Sequence, residues 1–311
     1  MEPRHSRHLT LGLFIWMASQ PFIPIMLAAA SPCDFPAIFN FGDSNSDTGG
    51  LSAAFGQAPS PNGETYFHHP AGRYSDGRLV IDFIAESLGV PYLSAYLDSV
   101  GSNFSHGANF ATAGSTIRPQ NTTQSQSGYS PISLNVQSVQ YSDFKKRSQI
   151  FRRQGGIFET LLPKPDYFSK ALYTIDIGQN DLTAGYKLNL TTEQVKANVP
   201  DILGQFSDVV KQIYAVGGRT FWIHNTGPVG CLPYSLDKFL ITASQKDKHG
   251  CAGPFNEVSQ FFNHGLKEEV SQLRKDLPQA ANKWIFEQVV NGSFSDPPVP
   301  LKMACHGSKH P

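Results

Sequence analysis

Three short stretches carry residue types suited to acyl transfer. FNFGDSNSDTGG, residues 39–50, runs from an apolar strand-like segment into a turn with Ser44 at its tip. NFATAGSTI, residues 109–117, contains Gly114, whose backbone N–H is unshielded by a Cβ, and IGQND, residues 177–181, places Asn180 directly after an apolar run. A serine that attacks an ester needs fixed N–H donors around the developing oxyanion, each worth about 10²–10³ in rate. Ser44 is the candidate nucleophile; the Gly114 N–H and the Asn180 amide are the two candidate oxyanion donors. Singly, each has a simpler reading as a turn residue. Together, in this order, they form a specific set.

Such a serine must be displayed by a sheet. PAIFNF (36–41), ALYTIDI (171–177) and RTFWIH (219–224) read as buried strands. Residues 79–88, with Val80, Phe83, Ile84 and Leu88 on one face, read as a helix, as do 195–216 and 257–277. This alternation predicts an α/β fold with a mostly parallel sheet and right-handed crossovers. Ligands of open sheets of this class bind beyond the carboxyl ends of the strands, which is where Ser44 and Asn180 fall. Asp47-Thr48-Gly49 is expected to open the next segment with free N–H groups. Pro278 ends the last long helix, and residues 279–290 read as helix again, with Trp284, Ile285, Gln288 and Val289 grouped. The pattern therefore lacks its last strand, and the strand at 219–224 is expected to be an uncovered apolar edge.

Lys+Arg and Asp+Glu balance at 25 each, so no bulk field favours nucleic acid or an anionic membrane as partner. Residues 1–30 combine Arg4 and Arg7, an apolar run from Leu9 to Leu27 and a small-residue exit, the pattern of a signal peptide. Gln20, Pro21 and Pro24 interrupt that run and argue against a membrane anchor. The expected product is secreted, extracellular or in the cell wall, with residues 31–311 as a single domain. Cys33, Cys231, Cys251 and Cys305 all follow the cut, where disulfides are favoured, and none is in a CxxC pair. Cys231 with Cys251 would close a short loop, leaving Cys33 to pair with Cys305 or stay free. Asn103, Asn121, Asn189 and Asn291 stand in glycosylation sequons. HExxH, GxSxG and GxxxxGK[ST] are absent, and no metal or nucleotide cofactor is implied.

These motifs resemble the plant GDSL esterases/lipases of the SGNH hydrolase superfamily over nearly all of the chain after residue 30. FNFGDSNSDTGG resembles the block with the nucleophilic serine, here Ser44, whose own N–H the resemblance also turns toward the oxyanion; GANFATAGS resembles the block carrying Gly114, and IGQND the block carrying Asn180. RYSDGR (73–78) and NTGPVGCLP (225–233) add to the likeness, which in its details is closest to an early-nodulin-like and fucosidase-labelled subgroup. The resemblance implies a three-layer, flavodoxin-like sandwich and a serine hydrolase acting on a small-molecule ester: a carboxylic ester, a lipid or an acylated carbohydrate.

The family's fourth block is an Asp-x-x-His near the carboxyl end, in which His is the general base and Asp orients it. None of the ten histidines here has an Asp three residues before it. His264 lies inside the long helix, and His306, in Cys-His-Gly, resembles the family's tail beyond the catalytic block. In the family, a Leu-Pro like Leu277-Pro278 leads to a further strand, more helix, a cysteine-rich loop and then Asp-x-x-His, shortly before a segment resembling residues 280–284. Here the flanks are fused. This reads as an internal deletion at about residues 278–283, from exon skipping or a wrong gene model, that removed the last strand with the catalytic Asp and His. The chain is therefore expected to be weakly active or inactive as an esterase. The alternatives are a secreted non-catalytic binding protein for a sugar or acyl ligand and an unstable splice or gene-model product. A fucosidase reading is weaker, because no sequence feature marks the two carboxylates it needs.

Overall fold

The computed structural model describes residues 34–121, 128–277, 280 and 284–287. Residues 1–30, Cys33, Asn291, Cys305 and His306 lie outside the described residues. Five strands, β1 (Ile38–Gly42), β2 (Gly107–Asn109), β3 (Leu172–Asp176), β4 (Thr220–His224) and β5 (Trp284–Glu287), form one parallel sheet in the order β2-β1-β3-β4-β5. The described helices are α1 (Gly50–Phe55), α2 (Val80–Ser87), α3 (Leu134–Arg152), α4 (Ile157–Leu161), α5 (Tyr167–Lys170), α6 (Gln179–Lys187), α7 (Thr192–Ala215), α8 (Pro233–Lys238) and α9 (Gly253–Asp276). This strand order is the flavodoxin-like one, whose direction of winding reverses between β1 and β3. The expected α/β sandwich is what the chain forms.

Strand alternation divides the core. Phe39, Phe41, Tyr173, Ile175, Phe221 and Ile223 point to one face, against α3, α7 and α9, where Phe39 stacks on Phe168 with ring centroids 5.1 Å apart. Ile38, Leu172 and Trp222 point to the other, against Ile81, Ile84 and Ala85 of α2. β1, β3 and β4 are buried on both faces, which is why they read as continuous apolar runs. α7 opens on a reciprocal cap in which the Thr191 N–H donates to Gln194 Oε1 at 2.8 Å and the Gln194 N–H to Thr191 Oγ1 at 3.3 Å.

Two expectations are corrected here. Residues 279–290 are not one helix: Trp284–Glu287 forms β5, paired with β4 from Phe221 opposite Trp284 to His224 opposite Glu287. The sheet has five strands, and β4 is paired on both sides rather than exposed. A four-residue aromatic and β-branched segment gains a ladder of backbone bonds there, which outweighs a helical pattern too short to nucleate. In α2 the buried residues are Ile81, Asp82, Ile84 and Ala85, whereas Val80 and Phe83 are exposed. Asp82 sets this rotation. Its carboxylate accepts the Leu79 N–H at 2.9 Å and both Nε and Nη2 of buried Arg73 at 2.8 and 2.6 Å, while the Arg78 guanidinium covers the Phe83 ring at 4.0 Å.

Cys231 and Cys251 are joined, closing the loop that carries α8. Asn103, Asn121 and Asn189 are exposed. Among the described residues no helix is long and apolar enough to cross a membrane.

The Arg73–Asp82 pair predicts a specific asymmetry. Asp82→Ala strands a buried guanidinium and is expected to cost about 3–5 kcal/mol. Glu86→Ala, which removes only the exposed partner of Arg78, is expected to cost about 0–1 kcal/mol. Urea unfolding of the two variants checks the difference.

Candidate active site

The end of β1 is shaped by a glycine. Gly42 has φ +153°, and a Cβ there would sit 2.3 Å from the Asp176 carbonyl oxygen of β3. Its N–H donates to Gln137 Oε1 at 2.9 Å, and its carbonyl accepts Gln137 Nε2 at 2.8 Å and the Thr112 N–H at 3.2 Å. Gln137 is fully buried on α3, so one amide side chain holds both polar groups of the last strand residue. Ser44 follows two residues later, half-buried, and makes no hydrogen bond with another described residue.

Gly114 lies in the loop after β2 at φ +78°. A Cβ would meet the Gly128 carbonyl oxygen at 2.9 Å and the Ser130 nitrogen at 3.0 Å, so the close approach needs glycine. Its carbonyl accepts the Ser130 N–H at 2.9 Å, and its own N–H bonds to no other described residue. Asn180, in the first turn of α6 immediately after β3, donates through Nδ2 to the Ser115 carbonyl at 2.8 Å and to Asp43 Oδ2 at 3.2 Å. The three predicted residues thus stand on three loops at the carboxyl ends of neighbouring strands, around the β1/β3 reversal point.

Buried carboxylates bind these loops together. Asp47 was expected to precede free N–H groups; instead its carboxylate accepts the N–H groups of Gly49 at 2.8 Å, Gly50 at 2.5 Å and Leu51 at 3.1 Å, and that of Ala113 across the site at 2.7 Å. The start of α1 is enclosed, so its N–H groups need an internal acceptor. Asp181, beside Asn180, accepts the Ile117 N–H at 2.8 Å and the Arg118 N–H at 2.9 Å, which ties the Gly114 loop to α6. Beneath them, Asn40 of β1 donates to Asn109 Oδ1 at 2.7 Å and Ser46 Oγ at 3.0 Å, and accepts Thr174 Oγ1 at 2.6 Å.

Burial raises all four carboxyls of this region. Asp43 is pushed well up by burial and by the nearby Asp176, against the Asn45 N–H bond that pulls it down. Burial also raises Asp47 against its four N–H bonds, and Asp176 against the charge of His224. Asp181 is pushed up to about 7 by burial, although two N–H bonds and Arg118 oppose the rise.

Of the histidines, His264 is 73% exposed beside Glu268 at 3.3 Å on α9, facing solvent. His224 is buried at the end of β4, its ring stacked on Trp222 at 5.3 Å. No described histidine hydrogen-bonds Ser44. Sequence reasoning missed Gln137, which lies 95 residues from Gly42 and carries no local signal, and the roles of Asp43 and Asp181. Asp181 had one: an acid in the first turn of a helix that follows a strand.

The Asp181 value has a direction for stability. Between about 3.9, the ordinary Asp value, and about 7, the folded chain keeps a proton that the unfolded chain has lost, so stability falls as pH rises through that window. Asp181→Asn removes this contribution. Urea midpoints at pH 5 and pH 7.5 are expected to differ less in Asp181→Asn than in the parent chain.

Comparison with known proteins identifies the family. The sequence model of the GDSL-like Lipase/Acylhydrolase family matches residues 38–295. A GDSL esterase/lipase of Arabidopsis thaliana is 52% identical over 357 residues, covering 89% of this chain and 94% of the relative. Alpha-L-fucosidase 3 of Arabidopsis thaliana is 62% identical over 273 residues, covering 86% of this chain and 73% of its own length. The GDSL esterase/lipase ENOD8 of Medicago truncatula is 52% identical over 280 residues, covering 90% of this chain and 72% of that protein.

Proposed function

The chain belongs to the GDSL-like lipase/acylhydrolase family, and from that premise we propose that it keeps the nucleophile and oxyanion donors of a secreted ester hydrolase while lacking its general base. The observation that carries this reading is the convergence of Ser44, Gly114 and Asn180 around the β1/β3 reversal point, in a sequence without any Asp-x-x-His. In a complete enzyme the base takes the serine proton, and an acyl-enzyme forms with its oxyanion under the three donors. Water then releases the acyl group. Among the described residues of this chain no histidine is bonded to Ser44 to take its proton.

An internal deletion near residues 278–283 accounts for the missing base. Two facts support it. The match to the Arabidopsis esterase/lipase runs over 357 residues, longer than this 311-residue chain, so that relative carries residues with no counterpart here. Along the sequence only residues 277–283 separate α9 from β5, too few for the additional strand, helix and loop that the family resemblance implies. Residues 1–30 support secretion, and the exposed Asn103, Asn121 and Asn189 sequons suit a glycosylated surface. A second reading, a secreted protein that binds a sugar or acyl ligand without turnover, rests on the same displayed but unactivated serine. The name of the fucosidase relative raises glycoside cleavage, but that chemistry needs two carboxyls open to the substrate. Asp43 and Asp47 are 0% exposed.

Loss of triad groups in a serine hydrolase costs on the order of 10⁶ in turnover and leaves roughly 10³–10⁴ over water. Hydrolysis of p-nitrophenyl acetate and butyrate by the purified chain is therefore expected to stay near the Ser44→Ala background; a large serine-dependent rate overturns the proposal. Sequencing genomic DNA and transcript across residues 278–283 checks the deletion, which an uninterrupted reading frame with no intervening exon would exclude. A fucosyl aryl glycoside in the same assay is expected to remain intact.

A further inference from the structure

Helices α7 and α9 line a cleft of about 360 Å³, separate from the loops around Ser44. Ser207 of α7 lines it with a side chain only 3% exposed, and its Oγ has no hydrogen-bond partner among the described residues. A serine inside a helix can bond back to the carbonyl four residues earlier, and a buried hydroxyl left unpaired is unfavourable. Gly204, one turn before Ser207, keeps the cleft open. It stands in the interior of a 24-residue helix, where glycine is among the poorest formers. Packing does not demand it: a Cβ there would meet nothing within 4 Å, unlike Gly265 of α9, where one would meet Leu203 Cδ1 at 2.7 Å.

Asp208 of α7 and Glu269 of α9 line the same cleft, and neither carboxylate is bonded to another described residue. Lys211, the cation of the lining, is turned to Asp276 Oδ2 at 3.6 Å, while Asp201 is held by Arg118 at 3.4 Å and Gln205 at 3.0 Å. Two carboxylates and a hydroxyl therefore share one cleft without donors. A primary ammonium carries three N–H donors and one positive charge, which suits that set. Among the described residues no group of three or more His, Cys, Asp or Glu could hold a metal ion, and two carboxylates are few for a hard dication that takes six or more oxygens. We propose that the cleft between α7 and α9 is a binding site for a small primary alkylammonium, with Ser207 Oγ, Asp208 and Glu269 accepting its N–H groups.

Butylammonium chloride at neutral pH tests the inference, with tetramethylammonium chloride, equal in charge but without an N–H, as the control. The full chain, labelled with nitrogen-15, is titrated with each. The amide signals of residues 204–211 and 269 are expected to shift and saturate with butylammonium and not with tetramethylammonium. Ser207→Ala removes a buried acceptor of a charged donor and is expected to weaken binding about 10-fold. Its urea midpoint is expected at or above that of the parent chain, since an unpaired buried hydroxyl is lost. Asp208→Asn, at an exposed carboxylate, is expected to weaken binding about 2–5-fold. Gly204→Leu places a good helix former in α7 and a side chain in the cleft, so the urea midpoint is expected to rise while binding falls. That opposition separates a blocked site from a damaged fold. A parent chain without a saturable shift, a tetramethylammonium affinity within twofold of the butylammonium one, or Ser207→Ala within twofold of the parent overturns the proposal, and the last result leaves water as the partner of Ser207.

Discussion

The Asp47 carboxylate is the constraint on which the rest of the site depends. It accepts the N–H groups at the start of α1 and one from the loop after β2, so a single buried acid joins the Ser44 loop to the Gly114 loop. Enclosed N–H groups without an acceptor cost about 1–3 kcal/mol each, and a backbone that closed these loops without such an acid would be strongly disfavoured. Asp181 repeats the arrangement one strand along, joining the Gly114 loop to α6. The two acids convert three separate loops into one rigid rim.

This construction draws on one part of the chain only. Ser44, Gly114 and Asn180 are held by β1, β2, β3 and the loops above them, all on the amino-terminal side of α9. The family's Asp-x-x-His belongs to the carboxyl-terminal part of the chain, which enters the sheet only at β5. On the reading proposed above, a deletion near residues 278–283 would take the activating groups and leave the loops around Ser44, Gly114 and Asn180 in place.

Much of the architecture was legible before the structure. The strands at β1, β3 and β4 and the helices α7 and α9 are long, doubly buried or strongly periodic, and local pattern is decisive for such segments. β2 was not read, because its three residues, Gly107–Asn109, are too few to show alternation. β5 was read as helix, since a short aromatic segment takes its conformation from the strand beside it. The orientation of α2 depended on Asp82 turning inward to Arg73, a contact that apolar spacing alone does not reveal.

The sequence by itself singled out Ser44, Gly114 and Asn180 as candidates and showed that no Asp-x-x-His spacing is present, because these are properties of residue type and order along the chain. Only the tertiary structure decided what holds them: Gln137 on both polar groups of Gly42, Asp47 and Asp181 across loops, and Asp43 between Ser44 and Asn180. Those bonds join residues up to 137 positions apart, and their strength comes from burial of polar groups that must find each other once water is excluded. No local pattern encodes such a pairing; it exists only when the parallel sheet brings the ends of β1, β2 and β3 side by side.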